Sequence, residues 1–283
     1  MNQLVKIEKP LVSVSWLFQN KEATNLIILN GTLPKVSTKK SKQENEEYQI
    51  PNTRFFDIKK EFSKQEAPFP NTVLEPEIFQ QKAQKLGINK ESCIVVYDEH
   101  GIYSSARVWW LFKTMGFDNI SVLNGGFPEW KKNKLPTERK QDFRIKSGDL
   151  LVKYNPELLV KSDVILKHLN DSSTQILDAR STGRFNSTLP EPRTKVRGGH
   201  IPNSLNIPYT SIILNGKLKE NTKLKEIFNA VNPEEKQMIF SCGSGITACV
   251  LALAATTLGY ENLAVYDGSW TEWGSLTHLP IEK

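Results

Sequence analysis

One cysteine stands where covalent chemistry is possible. In Ser241-Cys242-Gly243-Ser244-Gly245-Ile246-Thr247-Ala248 it follows an apolar run, Gln237-Met238-Ile239-Phe240, and precedes an Ala/Leu-rich run from Cys249 to Leu258. The pattern predicts a strand, a tight turn and a helix start, a geometry that aims several backbone N–H groups at one point. A sulfur held there faces the positive end of a helix and a ring of amide donors, which favours the nucleophilic thiolate. Gly243 and Gly245 let such a turn curl without Cβ clashes, and Thr247 is placed to cap the helix or line the loop. The expected chemistry is sulfur-based covalent catalysis, and it requires that the thiol be reachable from water.

Other thiol chemistries fit less well. A phosphatase-type loop ends in an arginine that holds phosphate, and the residue six past Cys242 is Ala248. Cys93, Cys242 and Cys249 form no CxxC pair and no metal-ligand spacing, so neither a metal nor another cofactor is expected. Cys93 begins an apolar strand and Cys249 lies two helical turns past Cys242; both read as core residues. Of the histidines, His100 reads as exposed, His168 and His278 have no partner evident in sequence, and His200 sits in a turn before Ile201-Pro202.

The elements that must position the cysteine come from a chain of 283 residues, long enough for two ordinary domains, with 39% hydrophobic residues and a net charge of +6. The densest basic cluster, Thr38-Lys39-Lys40-Ser41-Lys42, is followed by Glu44, Glu46 and Glu47. It reads as a solvated loop, and no nucleic-acid partner is expected. No stretch is apolar enough to cross a bilayer, and Met1 to Lys6 resemble no leader peptide. The low, odd cysteine count points to a reducing cytoplasm, where a free thiol survives.

The chain also repeats itself at an offset of about 145 residues, the size of one domain. Cys93-Ile94-Val95-Val96-Tyr97-Asp98 matches Gln237-Met238-Ile239-Phe240-Ser241-Cys242. Gly116 to Gly125 matches Gly259 to Gly268, Glu129-Trp130 matches Glu272-Trp273, and Leu135-Pro136 matches Leu279-Pro280. Short apolar strands alternate with helical segments in each copy, which predicts an α/β fold with a mostly parallel sheet flanked by helices. Working sites in such folds lie at the carboxyl ends of strands. Cys242 falls there in the second copy. Asp98 takes its place in the first, which is therefore expected to be catalytically inactive. We expect a first domain at 1–135, a linker at 136–152 and the catalytic domain at 153–283. The tryptophans Trp109, Trp110, Trp130, Trp270 and Trp273 read as core and interface anchors.

Taken together, Arg54-Phe55-Phe56-Asp57-Ile58, Ser105-Ala106-Arg107-Val108-Trp109-Trp110, Val122-Leu123-Asn124-Gly125-Gly126, Asp178-Ala179-Arg180-Ser181-Thr182-Gly183-Arg184-Phe185, Glu191-Pro192-Arg193, Gly199-His200-Ile201-Pro202 and Tyr266-Asp267-Gly268-Ser269-Trp270 occur in an order that resembles the two-domain sulfurtransferases of the rhodanese type. The resemblance covers nearly the whole chain and implies two tandem rhodanese-like domains. Members that use thiosulfate carry basic residues after the cysteine, whereas members that use 3-mercaptopyruvate carry Cys-Gly-Ser-Gly, as Cys242-Gly243-Ser244-Gly245 does here.

The resemblance implies a persulfide on Cys242, a small anionic sulfur donor, and a thiol acceptor such as thioredoxin or a small thiol, with cyanide as a laboratory acceptor. Arg184 and Arg193 match arginines that hold the donor's carboxylate and ketone, a task suited to the planar guanidinium fork. Either can instead be a surface or interdomain ion pair, and Arg180 reads at least as well as a structural salt bridge. Ser244 is placed to donate to the donor or the persulfide. In animal relatives a serine there works with a His and an Asp. Here the acidic position is Lys59 and the histidine position is Asn71, so that relay is missing. Two alternatives stay open: thiosulfate:cyanide transfer, and a non-catalytic redox-sensing or binding module.

Overall fold

Apolar runs rich in Ile, Val and Leu build two sheets of the same design. In the first half, β1 (Leu11–Val12), β2 (Leu26–Asn30), β3 (Thr53–Phe55), β4 (Cys93–Tyr97) and β5 (Ile120–Leu123) run in the order β1-β5-β4-β2-β3. In the second, β6 (Leu159–Val160), β7 (Thr174–Asp178), β8 (Leu205–Asn206), β9 (Gln237–Ser241) and β10 (Leu263–Tyr266) run in the order β6-β10-β9-β7-β8. All eight neighbouring pairs are parallel. Strand for strand the two orders coincide, so the internal repeat is a structural duplication. The structure is a computed structural model that describes residues 4–34, 47–141, 144–234 and 236–283. The basic cluster at 38–42, with Glu44 and Glu46, lies outside the described residues, as do positions 1–3 and Asp142.

Helices alternate with the strands: α1 (Val14–Asn20), α2 (Pro76–Lys85), α3 (Ser105–Thr114) and α4 (Gly126–Lys132) in the first half, then α5 (Ser162–His168), α6 (Thr182–Phe185), α7 (Asn221–Val231), α8 (Ala248–Thr257) and α9 (Ser269–Trp273) in the second. Every residue of β4 is fully buried, as expected of a central parallel strand. Residues Ala248 to Ala255 of α8 are likewise buried on all sides, which explains why that run is apolar throughout rather than amphipathic. Burial pushes the Cys93 thiol up to about 12, the behaviour of an inert core cysteine.

Contacts divide the chain into two units: Met1–Phe62 with Leu74–Tyr154 and Asn215–Lys217, and Ser63–Val73 with Asn155–Leu214 and Leu218–Lys283. Residues 136–141 and 144–154 are held to the first unit: Glu138 pairs with Gln49, Leu150 N donates to Ile88 O at 3.1 Å, and Lys153 N to Met115 O at 2.9 Å. The five tryptophans singled out in sequence are all buried. Two of them repeat one clasp, with Trp130 Nε1 donating to Pro136 O at 2.8 Å and Trp273 Nε1 to Pro280 O at 2.7 Å. The matched Trp and Leu-Pro pairs therefore exist because an indole N–H needs an acceptor when buried, and a proline carbonyl beyond the helix end supplies it in both units.

Candidate active site

Strand β9 stops at Ser241 and α8 begins at Ala248, which leaves Cys242 to Thr247 as the turn between them. The turn's carbonyls face α9. Trp270 N donates to Cys242 O and Thr271 N to Gly243 O, both at 2.9 Å, and the Thr271 hydroxyl also donates to Gly243 O. Among the described residues, the main-chain N–H groups of Gly243, Ser244, Ile246 and Thr247 find no acceptor. Four donors on one short turn make an anion cradle. The first unit shows the same turn with its anion built in. Asp98 follows β4 as Cys242 follows β9; its Oδ1 accepts from His100 N at 2.8 Å, and its Oδ2 accepts from Tyr103 N and Ser105 N at 2.9 Å and from Ser105 Oγ at 2.7 Å.

The glycines act differently from each other. Gly245 takes a left-handed φ of +74°, as expected of a curling turn. Gly243 does not need that freedom. A Cβ there would lie 3.1 Å from Arg184 Nη2, so it is small to let a guanidinium approach. Thr247 occupies the N-cap of α8 without a side-chain cap bond, which corrects the capping expectation and leaves it as a loop residue. Ile246 is buried beneath the turn. Cys249 is a core residue whose Sγ donates to Gly245 O at 3.2 Å.

Cys242 itself is only 1% exposed, a more closed site than the accessible thiol expected from sequence. Its neighbours Gly243, Ser244 and Thr247 are half-buried, so the mouth of the turn meets solvent while the sulfur lies behind it. Ser269 of α9 lies beside the sulfur. The Ser269 hydroxyl accepts from Cys242 N at 3.2 Å and Gly245 N at 3.1 Å, donates to Tyr266 O at 2.8 Å, and stands 4.0 Å from Cys242 Sγ. Its backbone is left-handed, at φ +49°, a region costly for a non-glycine residue.

Of the two sequence-predicted arginines, Arg184 lies against this turn and Arg193 is linked to it through Thr271. Arg184, on α6, is held by Glu191 through Nε at 3.2 Å and Nη2 at 2.6 Å, and its side chain is 24% exposed. Among the described residues its Nη1 has no acceptor. Arg193 Nη1 donates to Thr271 Oγ1 at 3.1 Å, the hydroxyl that in turn meets Gly243 O. Arg180 is structural: fully buried, it pairs with Asp178 at 2.7 Å and Glu191 at 2.8 Å and lies 4.4 Å over the Trp270 ring. Glu191 thus joins Arg184 to the buried Arg180.

The histidines are placed away from this chemistry. His200 stacks on Phe185 at 3.8 Å with Nδ1 3.0 Å from Phe185 O. His168 pairs with Asp171 at 2.8 Å, a partner three residues on that the sequence reading missed. His100 is half-buried rather than exposed, with Nε2 3.0 Å from Leu33 O. Among the described residues no cluster of His, Cys, Asp and Glu has the makings of a metal site, and no described helix is long and apolar enough to cross a membrane.

Comparison with known proteins fits this geometry. The model of the rhodanese-like domain matches twice, at residues 21–133 and 162–276. The chain belongs to the rhodanese family. The 3-mercaptopyruvate sulfurtransferase of Escherichia coli K12 is 35% identical over 274 residues, covering 96% of this rhodanese and 97% of that protein. The mitochondrial thiosulfate/3-mercaptopyruvate sulfurtransferase 1 of Arabidopsis thaliana is 33% identical, covering 99% of this chain and 79% of that one. Among solved structures, SseA from Escherichia coli, described as a 3-mercaptopyruvate sulfotransferase with the rhodanese fold, superposes with a TM-score of 0.82 at 33% identity over 93% of this chain and 99% of its own. This rhodanese is accordingly a sulfurtransferase built from two tandem domains.

Proposed function

We propose that this rhodanese moves sulfane sulfur from 3-mercaptopyruvate through a persulfide on Cys242 to a thiol. The observation that carries the reading is the guanidinium of Arg184 lying against Gly243, with Arg193 linked to the same residue through the Thr271 hydroxyl, next to the cysteine in a turn of unspent amides. The Cys242 thiolate attacks the donor's sulfur. The donor's C–S bond breaks, its electron pair passes to the carbon as an enolate, and protonation from water gives pyruvate. The sulfur stays on Cys242, and its charge is shared among the amides of Gly243, Ser244, Ile246 and Thr247. An acceptor thiolate then takes the outer sulfur and restores Cys242. Thioredoxin, a small thiol or cyanide all have the nucleophile this step needs. With its Nε and Nη2 held by Glu191, Arg184 offers Nη1 to the donor, and Arg193, whose Nη1 rests on Thr271, offers its other N–H groups; together they pair with the donor's carboxylate and ketone.

The Cys-Gly-Ser-Gly turn and the names of the relatives support 3-mercaptopyruvate as the donor. Thiosulfate is a second donor on the same machinery, since relatives named for it are of similar identity. The first domain carries Asp98 at the cysteine position and is silent in this scheme. The three free cysteines fit a reducing cytoplasm.

Intact mass tests the proposal. Wild type incubated with 3-mercaptopyruvate should gain one sulfur, and Cys242→Ser none; a gain retained in Cys242→Ser would refute the assignment. Exchanging Arg184 for Gln should raise KM for 3-mercaptopyruvate about tenfold or more, as expected for loss of a charge-assisted pair. An unchanged KM would remove Arg184 from the binding site.

A further inference from the structure

Asn71 reaches the Cys242 turn from a distant part of the sequence. Residues 63–73 belong to the second unit, where Asp267 Oδ2 accepts the Val73 N–H at 2.9 Å and Lys64 N donates to Thr72 O at 2.9 Å. Asn71 adopts φ +63°, a left-handed conformation that Asn tolerates better than most residues. Its side-chain nitrogen lies 3.1 Å from Ser244 O and 3.0 Å from Ser244 Oγ.

That pair of distances fixes the direction of both hydrogen bonds. A carbonyl oxygen only accepts, so the amide group facing Ser244 O is the NH2 end. Its second hydrogen goes to Ser244 Oγ, which is therefore an acceptor toward Asn71. The hydroxyl's own hydrogen must point elsewhere, and among the described residues no atom takes it. Ser244 is half-buried, and it sits two residues from Cys242. An amide neither gains nor loses a proton near neutral pH, so no proton passes through this pair.

We infer that Asn71 is a positioning residue that locks Ser244 as a fixed hydrogen-bond donor to the ketone oxygen of the α-keto donor, where negative charge develops as the C–S bond breaks. The inference rests on the proposed role of Cys242. Ser244 then acts by electrostatic stabilisation of the enolate, and the enolate's proton comes from water. The effect belongs to sulfur loading alone, because removal of the outer sulfur by cyanide creates no enolate.

The test separates the two half-reactions. Loading is followed as the burst of pyruvate from 3-mercaptopyruvate. Discharge is followed as cyanide uptake of sulfur from fully loaded protein. Ser244→Ala should slow loading about 10²-fold, the size of effect seen when an oxyanion donor is removed, and leave discharge within about threefold. Asn71→Asp keeps a residue that tolerates φ +63° but presents a carboxylate that captures the Ser244 hydrogen. It should slow loading as severely as Ser244→Ala, and the double variant should be no slower than Ser244→Ala alone. Asn71→Gly, which also suits the backbone, should show a smaller loss confined to loading. Equal losses in loading and discharge would mean loop damage and overturn the inference, as would unaffected loading or additive losses in the double variant. A wild type that acquires no sulfur at all would instead overturn the role of Cys242.

Discussion

Ser269 shows a side chain retained against its backbone's preference. In the repeat it stands opposite Gly126, which holds nearly the same conformation, φ +55° against +49°. The first unit solves the turn with glycine at no steric penalty; the second keeps a hydroxyl that ties two loop amides to Tyr266 O. The difference between removing the hydroxyl and relieving the strain is measurable. Ser269→Ala loses the hydroxyl and keeps the strain, whereas Ser269→Gly loses both. We expect Ser269→Gly to be more stable than Ser269→Ala by about 1 kcal/mol, while both slow sulfur loading equally, by about tenfold. Denaturant melts and the pyruvate burst check this; restored loading in Ser269→Gly would show that only the backbone mattered. The residues legible in the sequence are those whose own atoms are proposed to do chemistry: Cys242, Arg184 and Arg193. Ser269, Thr271, Glu191 and the NH2 end of Asn71 act by holding other groups, and composition and spacing carry little trace of that. The repeat does hold one clue, since a glycine facing a serine marks a left-handed site where the side chain has been kept.

At the scale of elements, the alternation of strands and helices was readable because period and breaker residues report it locally. Strand order and the burial of the sulfur were not, because both depend on contacts between segments distant in the chain. The strand-to-helix turn is best understood from the first unit, where Asp98 stands at the cysteine position. There the carboxylate of Asp98 satisfies three N–H groups and a hydroxyl in a fully buried setting. Removing it strands those donors, at about 1–3 kcal/mol for each buried group left unpaired. Asp98→Ala should therefore lower the denaturation midpoint substantially, by several kcal/mol in total, and leave sulfur loading on Cys242 unchanged in protein that remains folded. Loss of loading without loss of stability would assign the first unit a catalytic part.

For the molecule as a whole, buried neutral groups set its tolerance to alkali. The Cys93 thiol is pushed up to about 12 from an ordinary value of 9.0 by burial in β4, and Tyr97 and Tyr266 are raised as well, chiefly by burial. A raised value means that the folded chain holds its proton where the unfolded chain has lost it. Stability from this source is complete below pH 9 and drains away as pH climbs from about 9 toward 12. Melting curves at pH 8 and pH 10.5 should therefore show a drop that is smaller in Cys93→Ala, although that variant starts lower because of its cavity. Identical drops would place the alkaline sensitivity elsewhere.

The sequence reads as one module written twice, yet each unit owns a strip of chain from the other half: residues 63–73 in one direction and Asn215 to Lys217 in the other. Gly216 packs against Gly101 so closely that a methyl on Gly101 would meet its Cα at 2.5 Å, and Lys217 bridges to Glu129 at 2.6 Å. Scissors applied between the repeats would hand neither fragment its full set of parts. The half bearing the cysteine would come away without its asparagine, and truncation at the repeat boundary yields no self-sufficient module.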